Sequence, residues 1–363
     1  MNGVLIIDKP AGLTSHDVVN RVRRILGQRS VGHLGTLDPM ATGILPLVTG
    51  SFTRLAQFYV SSEKTYEGVI RFGFSTDTYD AEGDPTSEPK SVNLSREELE
   101  AQATKFRGVI EQIPPPFSAK KIKGVPAYKL ARKHKEVVLQ PVQVEIKEFE
   151  ILTVEADRAS FRARVASGTY MRSVAHDLGQ LLGCGAHLES LRRTSVAEFT
   201  LADAHTLEAL AQAKSNEHAK DDHPDHGDVR DGDVKDGGVQ RGDVQEGDVR
   251  EGDVKNCHPD RSLPCPRGKA SGVEGPCVPA LDDLFVHPRK LLPQLPSVTA
   301  DEQNAARIRA GRPVNLPELS RARQVKVFAG QRDLIAIATR VAGTLFHAKL
   351  VLSAPDLPVR QLH

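Results

Sequence analysis

With 363 residues, the chain is longer than one average domain, so two or more folded units are expected. Hydrophobic residues make up 39% of it, but nowhere do eighteen apolar residues follow one another, which argues against a membrane-spanning helix. The formal net charge of only +1 argues by itself against a nucleic-acid partner, although an average can hide segments of opposite charge.

The cysteines give no sign of a disulfide framework, because they are few and unevenly placed. They are Cys184, Cys257, Cys265 and Cys277. The apolar run near the N-terminus is too short for a signal peptide. We therefore expect a soluble protein of the reducing cytoplasm.

The first elements are a short buried strand and an amphipathic helix. Residues 4–7 form an apolar run that a Pro-Ala-Gly turn breaks. Thr14 and Asp17 then have the spacing of a capping box, and Gly27 is a natural end for the helix that follows. This pattern predicts a strand, a turn and a helix ahead of the next loop.

That loop, residues 31–46 with the sequence VGHLGTLDPMATGILP, surrounds one histidine and one aspartate with glycine and proline. Ile44 and Leu45 begin an apolar run that anchors it. An irregular loop against an apolar anchor is suited to presenting a carboxylate. His33 and Asp38 are therefore the first candidate site residues.

The next segments predict an ordinary strand, loop and helix. Alternating residues after Tyr66 indicate a strand, and residues 76–85 read as a turn or exposed loop. A second capping box, Ser95 to Glu98, starts a helix expected to stop at Gly108.

Residues 112–135 are strongly basic. Between residues 117 and 135 there is no acidic side chain, and Phe117 and Tyr128 are interleaved with cations. The cations are Lys120, Lys121, Lys123, Lys129, Arg132, Lys133 and Lys135. Such a segment suits phosphates and unstacked bases, or else it is simply a solvated basic face.

Two further strands and a helix are predicted before residue 213. Alternation at residues 142–146 and 161–165 predicts an antiparallel sheet with one buried face. The second strand runs toward Arg172, at the start of a helix that carries Val174, Leu178, Leu181 and Leu182 inward. A cation gains nothing from the dipole at that end of a helix, so another group should hold Arg172 there.

Residues 213–279 are predicted to be a disordered insertion. Within it, residues 227–256 repeat a five-residue unit of the type GDVxx, with one valine per unit as the only apolar group. Such a segment cannot offset the entropy of ordering itself. The repeats carry nine acidic and five basic residues, so the rest of the chain has a net charge of about +5.

The remaining residues predict a small β-rich domain. Residues 281–292 read as a helix or turn that packs back on the first domain. A third capping box, Thr299 to Glu302, is expected to open a short helix ending at Gly311. Strands are expected at residues 325–328, 334–338 and 345–352.

Common catalytic and binding motifs are missing. The glycines around His33 match neither GxGxxG nor the P-loop, and no GxSxG or HExxH occurs. Cys184 and His187 have ligand-like spacing but no second pair at zinc-finger distance. Neither a nucleotide cradle nor a metal site is favoured.

Several short motifs, in order and in register, instead resemble the bacterial tRNA pseudouridine-55 synthase family of the TruB type. The central motif is GHLGTLDPMATGIL at residues 32–45. The others are KPAGLTS at 9–15, KTY at 64–66, PPPFSA at 114–119 with Gly124 and Tyr128, GTYMR at 168–172 and LRR at 191–193. The resemblance covers residues 1–212 and resumes near 280.

This resemblance implies an enzyme that isomerises uridine 55 in the T loop of tRNA, without a cofactor. The nucleophilic aspartate of the family corresponds to Asp38, its partner arginine to Arg172 and its base-stacking tyrosine to Tyr66. His33 corresponds to the residue that fills the space left by the extruded base. An aromatic floor offsets the stacking that the base loses.

The same resemblance implies an RNA-binding surface. Lys9, Lys64 and the cluster at residues 120–135 would contact phosphates, and Leu191 would line the pocket. The cluster residues expected to bind are Lys120, Lys121, Tyr128 and Arg132. The partner is the T arm of tRNA, and we expect a monomer with no membrane and no obligatory protein partner.

The implied fold is α+β: a mixed, largely antiparallel sheet with flanking helices, plus a small C-terminal β-barrel-like domain of the PUA type. We expect a catalytic domain at residues 1–212, with residues 280–294 packing back on it. A PUA-like RNA-binding domain at 295–354 and a tail at 355–363 follow. The piece most similar to that domain is RIRAGRP at 307–313.

The sequence departs from the family at His134, where glycine is usual, and in the insertion at 213–279. Two other functions stay open. One is a protein that binds and remodels tRNA without chemistry, and the other is a guide-dependent rRNA pseudouridine synthase. Chemistry at Asp38 and activity on an isolated T arm distinguish them.

Overall fold

A computed structural model describes residues 1–118, 120–122, 125–126, 139–221, 279–317 and 321–352. The repeats predicted at 227–256 and the tail predicted at 355–363 lie outside these ranges.

Six α-helices lie in the described residues, numbered here in chain order. They are α1 (Ser15–Leu26), α2 (Ala56–Tyr59), α3 (Arg96–Ala103), α4 (Met171–Leu181), α5 (Leu207–Asp221) and α6 (Glu302–Arg309). Short 3-10 turns add Gly50–Leu55, Thr104–Phe106, Leu201–Asp203, Leu281–Leu284 and Pro288–Lys290.

Sixteen strands lie in the same residues. They are β1 (Gly3–Lys9), β2 (Val31–His33), β3 (Thr42–Thr49), β4 (Lys64–Phe72), β5 (Gly108–Gln112), β6 (Lys121–Ile122), β7 (Val125–Pro126), β8 (Val142–Glu155), β9 (Arg158–Val165), β10 (Ala186–Val196), β11 (Phe199–Thr200), β12 (Ser297–Ala300), β13 (Val314–Asn315), β14 (Gln324–Ala329), β15 (Asp333–Ala342) and β16 (Leu345–Val351).

The larger sheet has nine strands and is antiparallel except at one pair. Its central path runs β1-β3-β10-β4-β9-β8-β5, with β2 paired to β3 and β11 paired to β10. The parallel pair joins β3 and β10, where Gly43 lies opposite Arg193. Helices α1, α3 and α4 contribute to the core that covers one face of this sheet. The predicted α+β class is confirmed.

The outer strands of the larger sheet alternate between a buried and a charged face. In β8 and β9, the side chains of Phe149, Ile151, Phe161 and Val165 are buried. On the other face, Arg162 pairs with Glu67 of β4 at 2.8 Å. This alternation is the pattern that the sequence predicts for a half-buried antiparallel sheet.

Strands β1 and β3 are buried on both faces, which explains their unbroken apolar sequences. Leu5 and Leu45 pack with the helices on one side. Val4 and Ile44 pack on the other side, in a cluster that also contains Phe328 of the C-terminal sheet. That second sheet has the order β12-β14-β15-β16-β13. The two sheets therefore share this second hydrophobic cluster.

Two of the three predicted capping boxes are confirmed. Thr14 and Ser95 are the N-caps of α1 and α3, each with both reciprocal hydrogen bonds. The third is wrong: Thr299 belongs to β12, and Asp301 caps α6 by accepting a hydrogen bond from the Asn304 amide. Thr299 pairs with Phe328 of β14 and is therefore part of the sheet. Asp301, two residues later, caps a helix as well as a threonine does.

Three other expectations are corrected. Leu181, the last residue of α4, is 54% exposed, whereas its neighbour Leu182 packs against the core. Helix α5 continues to Asp221, past the point at residue 213 where disorder is predicted to start. Residues 76–85, expected to be a turn or exposed loop, contain turns, but Thr76 and Asp80 among them are buried. Among the helices of the described ranges, none is both long and apolar enough to cross a membrane.

The tight β3–β10 pairing predicts that Gly43 cannot be replaced. Its φ is +97°, and an added Cβ would lie 2.2 Å from the Arg193 carbonyl oxygen. We expect Gly43→Ala to lower the free energy of unfolding by about 2–5 kcal/mol, from backbone strain and overpacking together. Urea unfolding measures this change.

Gly12→Ala is the matched control, because Gly12 also has a positive φ of +82° but nothing within 4 Å of the added Cβ. Only the strain of about 1–2 kcal/mol should then remain. An equal loss in both variants would contradict the close approach at Gly43.

Candidate active site

The loop between β2 and β3, residues 34–41, presents Asp38 from an apolar base. Leu34, Leu37 and Ala41 are buried beneath it. The Ser15 side chain accepts a hydrogen bond from the Leu37 amide at 2.8 Å, at the first turn of α1. The Ala41 amide donates to the Asp38 carbonyl at 3.1 Å, which closes a turn around the aspartate. The loop is irregular but closely held.

Two fully buried cations hold the backbone of this loop. Lys9 Nζ donates to the carbonyls of Pro10, Leu13 and Pro39 at 2.8, 2.7 and 3.0 Å. Arg193 donates to the Gly35, Thr36 and Ile44 carbonyls at 2.9–3.3 Å. Buried charges are tolerated only when they are fully hydrogen-bonded. The loop carbonyls therefore turn inward and the Asp38 side chain turns outward.

The position of Lys9 corrects one expected role. All three of its ammonium donors bond to main-chain carbonyls, and the side chain is 0% exposed. Burial lowers the pKa of Lys9 to about 8. Lys9 therefore has no donor left for a phosphate, and it braces the loop instead.

Arg172 lies between two carboxylates. Its Nη2 donates to Asp38 Oδ1 at 3.1 Å, and its Nε lies 3.0 Å from Asp38 Oδ2. Its Nη1 is 3.2 Å from Asp80 Oδ2 and also donates to the Thr78 carbonyl. The Arg172 side chain is only 6% exposed. These contacts explain why a cation stands at the start of α4.

Asp80 belongs to the site through its contact with Arg172, and sequence reasoning missed it. Its side chain is 4% exposed and accepts hydrogen bonds from the Thr78 hydroxyl and the Glu82 amide. The ring of Tyr79, whose φ is 65°, stacks on His176 of α4 at 3.8 Å between centroids. The one clue to it was that a buried guanidinium needs more than one acceptor. The sequence alone does not show which of several neighbouring acidic residues, Asp80 among them, would be that second acceptor.

A cavity of about 420 Å³ opens beside Asp38. This volume falls in the range of roughly 300–1,000 Å³ typical of small-molecule sites. Of the expected site residues, it is lined by His33, Asp38, Lys64, Tyr66, Arg172 and Leu191. Tyr66 is 7% and Leu191 8% exposed, whereas the Asp38 side chain is 35% exposed. The chain thus brings six residues from five segments to one pocket.

The electrostatics of Asp38 are a balance of opposed effects. Burial raises the pKa of Asp38 above its ordinary value, and the nearby Asp80 carboxylate adds to this rise. The Arg172 guanidinium opposes it by favouring the ionised form. Arg172 is therefore what keeps this partly enclosed carboxylate available as an anion.

Burial also lowers the pKa of two other groups in the pocket. Burial lowers the pKa of His33, and the Arg193 charge adds to the effect, so its imidazole is neutral near pH 7. Burial also lowers the pKa of Lys64 to about 8. Lys64 Nζ donates to the Ser62 carbonyl at 2.7 Å and faces the cavity.

The basic cluster is only partly described. Lys120 is partly exposed, two residues after the cavity residue Ser118. Lys121 begins β6, and its side chain lies outside the described part of the chain, as do Tyr128 and Arg132.

The residue pattern and this geometry agree with comparisons to known proteins. The family model for "TruB family pseudouridylate synthase (N terminal domain)" matches residues 23–171. The model for "tRNA pseudouridylate synthase B C-terminal domain" matches residues 172–226. The tRNA pseudouridine synthase B of Solibacter usitatus is 43% identical over 97% of this chain and 100% of its own length. That of Opitutus terrae is 47% identical over 58% of this chain and 87% of its own length.

Solved structures share the fold. An H/ACA ribonucleoprotein bound to a substrate RNA containing 2′-deoxyuridine matches with a TM-score of 0.61 and 20% identity, over 98% of this chain and 86% of that one. An archaeal box H/ACA Nop10–Cbf5 complex matches with a TM-score of 0.60 and 20% identity, over 98% of this chain and 87% of that one. The family models and the relatives above together show that the chain belongs to the TruB family of pseudouridine synthases.

Proposed function

We propose that this protein isomerises uridine 55 in the T loop of tRNA to pseudouridine. One observation carries the proposal: a carboxylate held by a buried arginine opens on a cavity with an aromatic side. Family membership and relatives named tRNA pseudouridine synthase B support tRNA as the substrate.

The reaction exchanges one glycosidic bond for another. The bond between uracil N1 and the ribose C1′ breaks, the base turns, and a bond forms between C5 and C1′. The hydrogen on C5 is lost and N1 gains a proton, so atoms balance without a redox step or net hydrolysis. The residues must therefore hold a detached base, manage charge at the sugar and move a proton.

Asp38 is the nucleophile in this proposal. A carboxylate can attack a sugar carbon, or offset positive charge there, only when it is ionised. The hydrogen bond from Arg172 Nη2 and the nearby guanidinium charge favour that form. Asp80 in turn holds Arg172 from the opposite side.

The base enters the cavity after it is extruded from the T loop. Tyr66 offers an aromatic face that offsets lost stacking and is the group proposed to help move the C5 proton. Leu191 lines the pocket. The neutral His33 fills the space that the base leaves, where a charged imidazole would be costly against stacked bases.

Phosphates near the target are bound by cations around the cavity. Lys64 faces the cavity and Lys120 lies near its Ser118 side. Together with Lys121, Tyr128 and Arg132, they form the proposed contact surface for the T arm. Because such contacts release counterions, tRNA affinity should fall steeply with salt.

Replacing Asp38 with asparagine should separate chemistry from binding. We expect Asp38→Asn to lower the rate of pseudouridine formation by at least about 10³-fold, because the amide cannot act as a nucleophile. Affinity for tRNA at the same salt concentration should persist. The assay is tritium release from C5-labelled uridine in a bare T-arm transcript, with filter binding in parallel.

Asp84→Asn is the matched control, since Asp84 is exposed in the adjacent acidic loop. It should retain full activity. Conversion by Asp38→Asn at the wild-type rate would show that Asp38 is misassigned. A wild-type protein that binds the transcript but never converts it would favour the binding-only function, and conversion only with added guide RNA would favour the rRNA enzyme.

Acidification should lower the activity, and the midpoint of this loss should lie above the pH at which an ordinary aspartate titrates. Because burial raises the pKa of Asp38, the carboxylate is protonated, and the nucleophile lost, as pH drops through that raised value. The acid limb of kcat/KM should therefore be centred above about 3.9, the value for an unperturbed aspartate. The measurement is the pH profile of tritium release at constant ionic strength.

Asp177→Asn is the control for this profile. Burial raises the pKa of Asp177 to about 6, but this residue of α4 does not line the cavity. The acid limb should stay in place in this variant. A limb that disappears with Asp177, or one centred at or below 3.9 in the wild type, would contradict the assignment to Asp38.

A further inference from the structure

Helix α2 forms one wall of the catalytic cavity, here called the α2 wall. Ala56, Tyr59 and Val60 line the cavity from this side. Tyr59 is 2% exposed, and its ring lies 5.5 Å from that of Phe199 between centroids. The helix has only four residues and no side-chain cap, so it has little stability of its own. Its position must come from tertiary contacts.

The α2 wall makes a short polar contact with the turn between β10 and β11. The Tyr59 hydroxyl donates to Glu198 Oε1 at 2.6 Å. Glu198 lies in the turn between β10 and β11. Burial and the Glu198 carboxylate raise the pKa of Tyr59, so its phenol remains a donor. A buried hydroxyl bonded to a carboxylate fixes its ring more firmly than apolar packing alone.

The same carboxylate oxygen is bound from the C-terminal side. The Leu292 amide donates to Glu198 Oε1 at 2.8 Å. Leu292 has a φ of 49°, a strained conformation for a leucine that surrounding contacts must maintain. One oxygen atom therefore joins the α2 wall to residues 288–292.

Residues 288–292 are in turn held by the C-terminal sheet. Lys326 of β14 is 2% exposed, and its Nζ donates to the Arg289 and Leu291 carbonyls at 2.9 and 2.6 Å. Arg289 donates to the Gly330 carbonyl at 3.2 Å and lies over the Phe328 ring. A buried ammonium in this position would be costly without those carbonyls. The C-terminal sheet thus holds residues 288–292 in place.

We propose that Glu198 and Tyr59 are positioning residues through which the C-terminal sheet holds the α2 wall of the catalytic cavity. The path runs from Lys326 through the Leu291 carbonyl and the Leu292 amide to Glu198 and Tyr59. The inference rests on the proposed function, because it assigns these residues an effect on that reaction. It predicts that the C-terminal sheet sets the rate of the chemical step as well as contributing to the shared hydrophobic cluster.

Three variants test the path. Tyr59→Phe removes one hydroxyl and keeps the ring, and Lys326→Met removes the ammonium and keeps most of the stem. We expect each to lower the single-turnover rate constant by about five- to tenfold, with tRNA affinity unchanged, as for the loss of one hydrogen bond. Glu198→Gln retains an accepting oxygen but loses the charge, so its loss of rate should be smaller than that of Tyr59→Phe.

The double variant Tyr59→Phe, Lys326→Met separates a shared path from two independent losses. Residues on one path should give a combined loss smaller than the product of the single losses. Arg340→Met is the matched control: it removes a cation of β15 that donates to the Ala322 carbonyl at 3.0 Å, a bond between two residues of the C-terminal region that lies outside the path. Arg340 does not line the cavity, so the rate constant should not change.

Single turnover distinguishes positioning from loss of folded protein. Misfolding lowers the amplitude, whereas a displaced wall lowers the rate constant. Wild-type rate constants in Tyr59→Phe and Lys326→Met, multiplicative losses, or an equal loss in Arg340→Met would overturn the coupling. A wild-type protein that forms no pseudouridine would instead overturn the proposed function.

Discussion

The buried guanidinium of Arg172 is the constraint on which the site depends. It is shared by Asp38 and Asp80, which come from two loops far apart in the chain, and all three must meet for its charge to be tolerated inside the protein. The start of α4 supplies the arginine, the β2–β3 loop supplies one carboxylate and the loop after β4 supplies the other. Removing either carboxylate would leave a buried charge underpaired, so the site and the local fold stabilise each other.

Buried cations also hold irregular backbone in two places. Lys9 and Arg193 bind carbonyls of the β2–β3 loop, and Lys326 binds those of residues 288–292. In each case a long cationic side chain, fully enclosed, satisfies main-chain oxygens that no strand or helix partner reaches. A regular sheet could not shape these segments, because neither follows a repeating backbone geometry. Buried cations thus organise the loops, while the exposed ion pairs on the outer face of the large sheet contribute little.

Partial burial gives Asp38 two opposed properties. Enclosure raises its pKa and reduces the anionic fraction, but it also removes water that would screen the carboxylate from a substrate. Arg172 restores the anion without closing the site, since the Asp38 side chain remains 35% exposed. The α2 wall completes the enclosure from a third direction, and its support extends into the C-terminal sheet. The pocket is therefore assembled from the whole described fold.

The sequence by itself determined the caps of α1 and α3, because these depend on local patterns. Its resemblance to the family implied the α+β class and the site residues Asp38, Tyr66, Arg172, His33, Lys64 and Leu191. Only the tertiary structure decided that Lys9 is an internal brace, that Asp80 shares Arg172 and that Glu198 joins two sheets through the α2 wall. Asp80 resembles its acidic neighbours, and Lys9 resembles any exposed lysine beside a turn. Their roles arise from partners distant in sequence, and burial, which turns a charge into a structural requirement, is a property of the folded chain alone.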